Sequence, residues 1–183
     1  NISRKQQMVG YAFEHSFDDV WTVRQNLRYS KMDVDYRSIY GLGIDPDNSA
    51  ELKRGVMNSK EHMSSFAVDT QAQAKFATGQ VDHILLMGVD YMRMRNDVVY
   101  QYGSASNLNV IAPQYGNRSY TITGGASQVN RQEQTGLYVQ DQAEWNNWVL
   151  TMGGRYDWSD TNSTNRLNQN SVSKQQDNQF TGR

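Results

Sequence analysis

The sequence contains no cysteine, so disulfides play no part in its architecture. Such a chain fits a reduced compartment and equally an exported protein that lacks disulfides, which leaves the compartment open. An excess of either charge is also missing, because the formal net charge is -1 at pH 7. This balance gives no basis for a nucleic-acid partner or for attraction to an anionic membrane surface.

Long apolar runs are missing as well. The longest run, Ile-Leu-Leu-Met-Gly-Val, covers residues 84–89. A spanning helix needs about 18 or more consecutive apolar residues, so the sequence excludes a transmembrane helix. It does not exclude transmembrane β-strands, because only alternate residues of such a strand face lipid.

Apolar residues are scarce but aromatic residues are not. The apolar fraction is 37% and the mean hydropathy is -0.79, yet the chain has 11 tyrosines and 4 tryptophans. Disordered chains are poor in aromatic residues, so disorder does not explain this composition. A β protein with one face in water explains both the polarity and the aromatic content.

Six segments alternate between apolar and polar residues, as half-buried strands do. They cover 8–17, 20–29, 66–76, 81–95, 132–145 and 148–158. The segment 81–95 is ambiguous, because Ile84 and Leu86 fall at nominally polar positions. The predicted apolar row includes Trp21, Leu27, Val68, Ala72, Leu137, Val139, Leu150 and Met152, and the predicted polar row includes Arg24, Arg28, Gln71, Gln73, Gln140 and Arg155. The fold class predicted from this pattern is an all-β antiparallel meander of about six strands.

The connections alternate in length. Short turns are predicted at residues 17–19, 78–80 and 145–147, and long polar loops over 30–63, 97–130 and 159–178. Ordinary globular domains seldom contain several structureless loops this long. Outer-membrane barrels combine short periplasmic turns with long extracellular loops, so the pattern favours a transmembrane β-barrel. The alternative is a soluble antiparallel sandwich whose aromatic residues fill its core and whose loop tyrosines recognise a carbohydrate or a protein.

Aromatic residues near the ends of the alternating segments support the barrel. Trp148 and Trp158 lie on one predicted face, ten residues apart. On a strand tilted by about 45° this spacing corresponds to a height of roughly 23 Å. The apolar band of an outer-membrane barrel is about 25 Å tall and is bordered by aromatic girdles. Barrels that hold a plug have about 22 strands, so we expect residues 1–183 to be a partial β-barrel domain.

Candidate catalytic and metal-binding residues do not form a recognised pattern. His15, His62 and His83 have no metal-ligand spacing, and residues 45–49 read as a turn rather than a calcium loop. No nucleophile lies beside a base, and no glycine-rich phosphate loop follows a strand. The sequence therefore predicts neither an enzyme nor a resident cofactor or metal.

Two polar features leave alternatives open. The row of Arg24 and Arg28, with Asp69 and Glu144, is either a solvated charged ladder or a wall that seats a plug domain. The predicted loops carry tyrosines that serve recognition or pack beneath their own loops. These tyrosines are Tyr36, Tyr40, Tyr100, Tyr102, Tyr115 and Tyr120.

Several segments resemble the TonB-dependent receptors for ferric hydroxamate siderophores, the family of the ferrichrome and ferrioxamine B receptors. The resemblance is carried by 23–28 (VRQNLR), 75–79 (KFATG), 88–97 (GVDYMRMRND), 135–143 (TGLYVQDQA) and 153–158 (GGRYDW). It implies a bacterial outer-membrane barrel of about 22 strands. A plug domain and the remaining strands would lie outside this chain, and TonB would energise import through the missing N-terminal region.

The resemblance also implies a ligand site. A Tyr-Gly-Tyr-Gly motif of the family aligns with Tyr40-Gly41-Leu42-Gly43, so Tyr40 carries over and Leu42 replaces the second contact. A ligand-contacting phenylalanine aligns with Tyr102. The disulfide that follows the motif in the ferrichrome receptor is missing, and the loop is shorter, which favours ferrioxamine or another hydroxamate. The iron would arrive inside its siderophore, so shape and aromatic surface would provide specificity.

Overall fold

The computed structural model describes residues 1–116 and 118–182, which form a single antiparallel sheet. Its seven strands lie side by side in chain order. They are β1 (Ile2–Ser16), β2 (Trp21–Asp45), β3 (Asn48–Thr78), β4 (Val81–Asn109), β5 (Tyr120–Trp145), β6 (Trp148–Asn165) and β7 (Ser171–Gly182). The predicted all-β meander is confirmed. The predicted alternative of a two-layer sandwich is not supported, because the described strands form one layer.

The connections lie at two opposite ends of the sheet. The short-turn end holds residues 17–20, 79–80 and 146–147, as predicted. The distal end holds the connections 46–47, 110–119 and 166–170. Asn146 and Gly79 adopt positive φ angles of 53° and 67°, which suit two-residue hairpin turns.

The prediction of long structureless loops is wrong. Most of 30–63, 97–130 and 159–178 belongs to strands, which continue past the alternating segments as paired hairpins, and 171–182 adds a seventh strand. The alternating signal disappears there because a strand with water on both faces needs no apolar row. Backbone pairing continues nevertheless, for example through Asp33↔His62 and Asp35↔Lys60.

The register places the predicted rows on opposite faces of the sheet. On the apolar face, Leu27 pairs with Val68, and Val139 pairs with Met87 and Gly154. On the polar face, Arg24 pairs with Gln71, and Tyr138 pairs with Gly88 and Arg155. The register also resolves 81–95: Leu85, Met87 and Val89 share the apolar face, while Ile84 and Leu86 lie on the polar face.

Two aromatic belts border the apolar face. At the short-turn end, Trp145 and Trp148 pair directly, with Trp21 and Phe76 at the same end of the sheet. Towards the distal end, Tyr156 and Trp158 have ring centroids 4.6 Å apart, and Phe66 and Tyr91 have centroids 6.4 Å apart. The belts frame the apolar rows of β2 to β6.

A single layer of strands buries few side chains. Among the described residues, the buried apolar side chains are Val56, Ala74, Ala105 and Val129. The apolar row stays open, with Val139 at 49% and Met152 at 59% relative exposure. The described residues include no helix long and apolar enough to cross a membrane.

Candidate functional site

A network of charged and polar side chains connects four strands across the middle of the polar face. The Arg155 guanidinium donates to Asp90 at 2.6 and 3.1 Å and to Asp157 at 2.6 Å. The Tyr138 hydroxyl donates to Asp69 at 2.8 Å. Because these residues come from β3, β4, β5 and β6, the network fastens four neighbouring strands to one another on the polar face.

Glycines make room for this network. An added Cβ at Gly88 would lie 2.4 Å from the Tyr138 ring, and one at Gly136 would lie 2.1 Å from the Arg155 guanidinium. Each large side chain therefore lies flat over a glycine of the neighbouring strand. The sequence pattern placed Arg155 on the polar face but did not indicate its partners, because the pairing of each glycine with a large polar residue depends on the register between strands.

The predicted arginine ladder has different partners from those expected. Arg24 and Arg28 do lie on the polar face with Asp69 and Glu144. However, Arg24 forms an ion pair with Glu14 and donates to Gln73 at 2.9 Å. Asp69 instead accepts from Tyr138, so the row is not one continuous ladder of opposite charges.

Tyr40 and Tyr102 lie on the polar face of the distal hairpins. Tyr40 of β2 packs over Gly55 of β3, where an added Cβ would lie 2.7 Å from the ring. Tyr102 of β4 packs over Gly124 of β5, where the distance would be 2.5 Å. The tyrosines flank β3, and Tyr102 is level with Ser38, two residues from Tyr40. Strand spacing and rise place their Cα atoms about 12 Å apart.

Leu42 occupies a bulge beside Tyr40. The register shifts between Gly41 and Gly43, so Leu42 has no directly paired residue on β3. Gly43 has φ +125°, a conformation that glycine adopts far more readily than other residues. The Leu42 side chain is 62% exposed. A bulge directs a side chain away from the regular alternation, so Leu42 is free to contact a molecule at the distal end.

The other tyrosines divide into two groups. Tyr36 and Tyr100 share the polar face with Tyr40 and Tyr102, on either side of Ser59. Tyr115 lies in the 110–119 connection and is 71% exposed. Tyr120 is the first residue of β5 rather than a loop residue, and the guanidinium carbon of Arg37 lies 5.6 Å from its ring centroid.

A bidentate ion pair lies at the distal end of the apolar face. Arg166 donates to the two carboxylate oxygens of Asp97 at 2.6 and 2.7 Å, and it reaches across β5 to do so. These hydrogen bonds hold the pKa of Asp97 below its usual value. Arg95 adds a weaker contribution. The pair fastens the 166–170 connection to β4.

The histidines and the 45–49 segment form no metal site in the structure. His62 pairs with Asp33 at 2.6 Å, and His83 pairs with Asp141 at 2.8 Å and stacks on Phe76. Asp45 accepts from the Asp47 backbone N–H at 3.1 Å, as a turn residue does. No group of three or more metal-ligating side chains occurs in residues 1–116 and 118–182.

Comparison with known proteins identifies the family of this sheet. The model of the family described as "TonB dependent receptor-like, beta-barrel" matches residues 1–183. The chain belongs to this family. It is therefore a segment of an outer-membrane β-barrel, with its apolar face towards lipid and its polar face towards the barrel lumen. Short turns are periplasmic in such barrels, so the distal end is extracellular.

Curated relatives agree with this assignment. The ferrichrome outer membrane transporter/phage receptor of Escherichia coli (strain K12) is 42% identical over 99% of this chain. The ferrioxamine B receptor of Salmonella typhimurium (strain SL1344) is 38% identical over 90% of the chain, and the ferrioxamine receptor of Yersinia enterocolitica is 33% identical over all of it. These relatives are receptors and transporters rather than enzymes. The chain spans only 27%, 23% and 26% of their respective lengths.

Solved structures share the fold. The siderophore receptor PiuA of Acinetobacter baumannii matches 99% of this chain and 29% of its own, with a TM-score of 0.83 and 15% identity. The ferric-catecholate import receptor Fiu of E. coli K12, in its closed form, matches all of this chain and 30% of its own, with a TM-score of 0.78 and 16% identity. At these identities the likeness concerns the fold alone.

Proposed function

We propose that this chain is part of the wall of an outer-membrane receptor that binds a ferric hydroxamate siderophore and imports it by TonB-dependent active transport. One observation carries the proposal. In a chain 33–42% identical to ferrichrome and ferrioxamine receptors, Tyr40 and Tyr102 lie on the same lumen-facing surface near the extracellular end. Two aromatic rings there can contact the organic shell of a ligand that enters from outside.

The chemistry of the distal hairpins suits this kind of ligand. A ferric hydroxamate brings its iron already coordinated by hydroxamate oxygens, so the receptor needs to supply no metal ligand and no cofactor of its own. Ring faces and hydroxyl tips instead offer apolar contact with a few hydrogen-bonding groups, as small-molecule sites usually do. In the proposed site Tyr40 and Tyr102 contact the ligand, and Leu42 adds an apolar contact from the bulge.

The other partners follow from the two faces. Outer-membrane lipid covers the apolar face between the aromatic belts. The polar network around Arg155 faces the lumen, where a plug domain from outside this chain would sit. Energy would come from the TonB complex, which would engage a segment N-terminal to the chain. Nucleic acid has no place in this proposal.

Alanine substitutions in the full-length receptor test the ligand site. Burying an aromatic ring against a ligand contributes on the order of 1–3 kcal/mol. Tyr40→Ala and Tyr102→Ala should therefore each weaken binding of the ferric hydroxamate by roughly tenfold, measured as Kd by fluorescence quenching. Tyr115→Ala is the matched control, because Tyr115 lies in an exposed connection and belongs to none of the segments that resemble the family.

The folding of the variants and the binding of the unaltered receptor decide how the result is interpreted. Unchanged heat-modifiable migration on gels would show that the barrels of all variants are folded. If folded Tyr40→Ala and Tyr102→Ala receptors bound the ligand as tightly as Tyr115→Ala, the proposed ligand site would be wrong. If the unaltered receptor bound neither ferrioxamine B nor ferrichrome, the proposed substrate class would be wrong.

A further inference from the structure

A second recognition surface lies on the polar face, inward of Tyr40 and Tyr102. It is a groove of about 520 Å³ formed by side chains of β1 to β5, with Tyr36 and Tyr100 among them. Glu61 contributes a carboxylate to this otherwise largely aliphatic and aromatic groove. A charged group in such surroundings needs a partner, because desolvation of an unpaired charge is unfavourable.

Glu61 has an incomplete set of partners. The Ser59 hydroxyl donates to its Oε1 at 2.8 Å, and Ser59 itself is only 6% exposed. The ion pairs formed within residues 1–116 and 118–182 use other carboxylates. Arg4 lies two strands away on the same face, about 10 Å at the Cα atoms, and its guanidinium donates to Gln6 at 2.9 Å.

A second acceptor lies beside Glu61. Asn96 is buried at its Oδ1, and this oxygen has no hydrogen-bond partner. Asn96 pairs with Met63, and Val98 pairs with Glu61, so Asn96 lies diagonally across from Glu61 on the same face. The Asn96 oxygen is enclosed within the sheet and does not line the groove, so a molecule in the groove does not contact it. Glu61 does line the groove, and only its Oε1 accepts a hydrogen bond within residues 1–116 and 118–182, so the free Oε2 suits a ligand that donates.

The aromatic rings indicate that the donating group of the ligand is a cation. Tyr36 and Tyr100 flank Ser59, which lies two residues outward from Glu61 on the same face. Ring faces attract cations, and a primary ammonium group carries three donors on one compact centre. Such a group can donate to the Glu61 carboxylate and offset its charge, which a neutral methyl or amide terminus does not do.

We infer that this groove binds a primary ammonium group carried on a flexible arm of the ferric hydroxamate ligand. The inference rests on the proposed function and adds a charge requirement to it. Glu61 and its backbone partner Val98 lie four residues inward of the paired residues Met57 and Tyr102, about 13 Å along the strand. The organic shell would contact Tyr40 and Tyr102 while the arm extends inward to Glu61. A neutral ligand would leave the carboxylate desolvated and unpaired, which gives the receptor selectivity against it.

Two ligands that differ only in charge test the inference. One is a linear ferric trihydroxamate with a free terminal amine, as in ferrioxamine B, and the other is its N-acetylated form. The full-length receptor should bind the free amine about tenfold more tightly or better, as expected for a charge-assisted hydrogen bond. Glu61→Gln should remove this preference by weakening the free-amine form alone, while the N-acetylated form binds as before and reports an intact fold.

Asp35→Asn provides the matched control. Asp35 pairs with Lys60, next to Glu61 in sequence, but it is exposed on the opposite face. The same carboxylate-to-amide change there should leave the preference for the free amine intact. Equal binding of both ligands by the unaltered receptor, or equal weakening of both by Glu61→Gln, would overturn the inference and leave the receptor assignment standing. Failure of the unaltered receptor to bind either ligand would overturn the proposed function and this inference together.

Discussion

The membrane band is the part of the sheet between the two aromatic belts, and the distal hairpins are the parts of the strands beyond it, towards the distal end. The same strands run through both regions, but the pattern of side chains differs. In the band, apolar and polar residues alternate, and the apolar row is edged by aromatic belts around Trp145 and Trp158. In the distal hairpins, charged residues such as Asp33 and Lys60 lie on the same face that is apolar lower down. The change marks the height at which lipid gives way to water.

The difference shows which forces hold each region. Lipid offers no hydrogen bonds, so the band must pair its backbone fully and expose an apolar row. Above the band, backbone pairing alone continues the strands, and side chains are free to serve recognition. Tyrosine over glycine is common to both regions: Tyr138 covers Gly88 in the band, whereas Tyr40 covers Gly55 in the distal hairpins. The same packing supports a structural network in one region, and in the other it positions the rings that we propose contact the ligand.

The largest expected effect comes from a charge placed in the apolar row. Val139 lies between the belts, paired with Met87 and Gly154. Val139→Arg in the full-length receptor should destabilise the folded barrel in bilayers by about 2–4 kcal/mol. Val99→Arg is the matched control on the same face of a distal hairpin, paired with Lys60, and should change stability by about 0.5 kcal/mol or less. Equal effects at the two sites, measured by urea titration in lipid vesicles, would contradict the boundary between the regions.

The second effect separates the polar network from a surface ion pair. Arg155→Met would leave Asp90 and Asp157 facing each other without their shared cation. Because these side chains are 25% and 24% exposed, the loss should be about 1–3 kcal/mol rather than that of a fully buried pair. Arg93→Met breaks a pair whose members are 59% and 47% exposed and should cost about 1 kcal/mol or less.

A rescue experiment checks the cause of the Arg155 effect. If unpaired carboxylates cause the loss, adding Asp90→Asn and Asp157→Asn to Arg155→Met should restore part of the stability in urea titration. Lost packing of the Arg155 guanidinium over Gly136 would not be restored in this way. Absence of any rescue would therefore assign the effect to packing instead of charge.

The sequence predicted the band well and the distal hairpins poorly, for a physical reason. Alternation around Leu137 and Val139 gave the faces of β5 correctly, because lipid imposes that pattern. Residues 30–63 lack it, so they were predicted as a loop although they are paired strands. The residue pattern gave Tyr40 and Tyr102 only as two of six loop tyrosines that could serve recognition, and the family resemblance alone distinguished them from the other four. The network around Arg155 and the groove at Glu61 depend on register between strands far apart in sequence, which one segment cannot reveal.

The smallest expected effect concerns pH and the 166–170 connection. Because Arg166 hydrogen bonds hold the pKa of Asp97 below its usual value, the ion pair stabilises the docked connection above the pKa of an ordinary aspartate, about 3.9. That stabilisation is lost only as the pH falls through the lower pKa of the docked state.

Pepsin cleavage near Leu167, which is 65% exposed, can report undocking. Asp97→Asn should be cleaved faster than the unaltered receptor near pH 4, and the ratio of the two rates should approach one as the pH falls further. Taking the ratio at each pH removes the pH dependence of pepsin itself. A ratio that does not change with pH would mean that the pair does not hold the connection, and that the distal hairpins rely on backbone pairing alone.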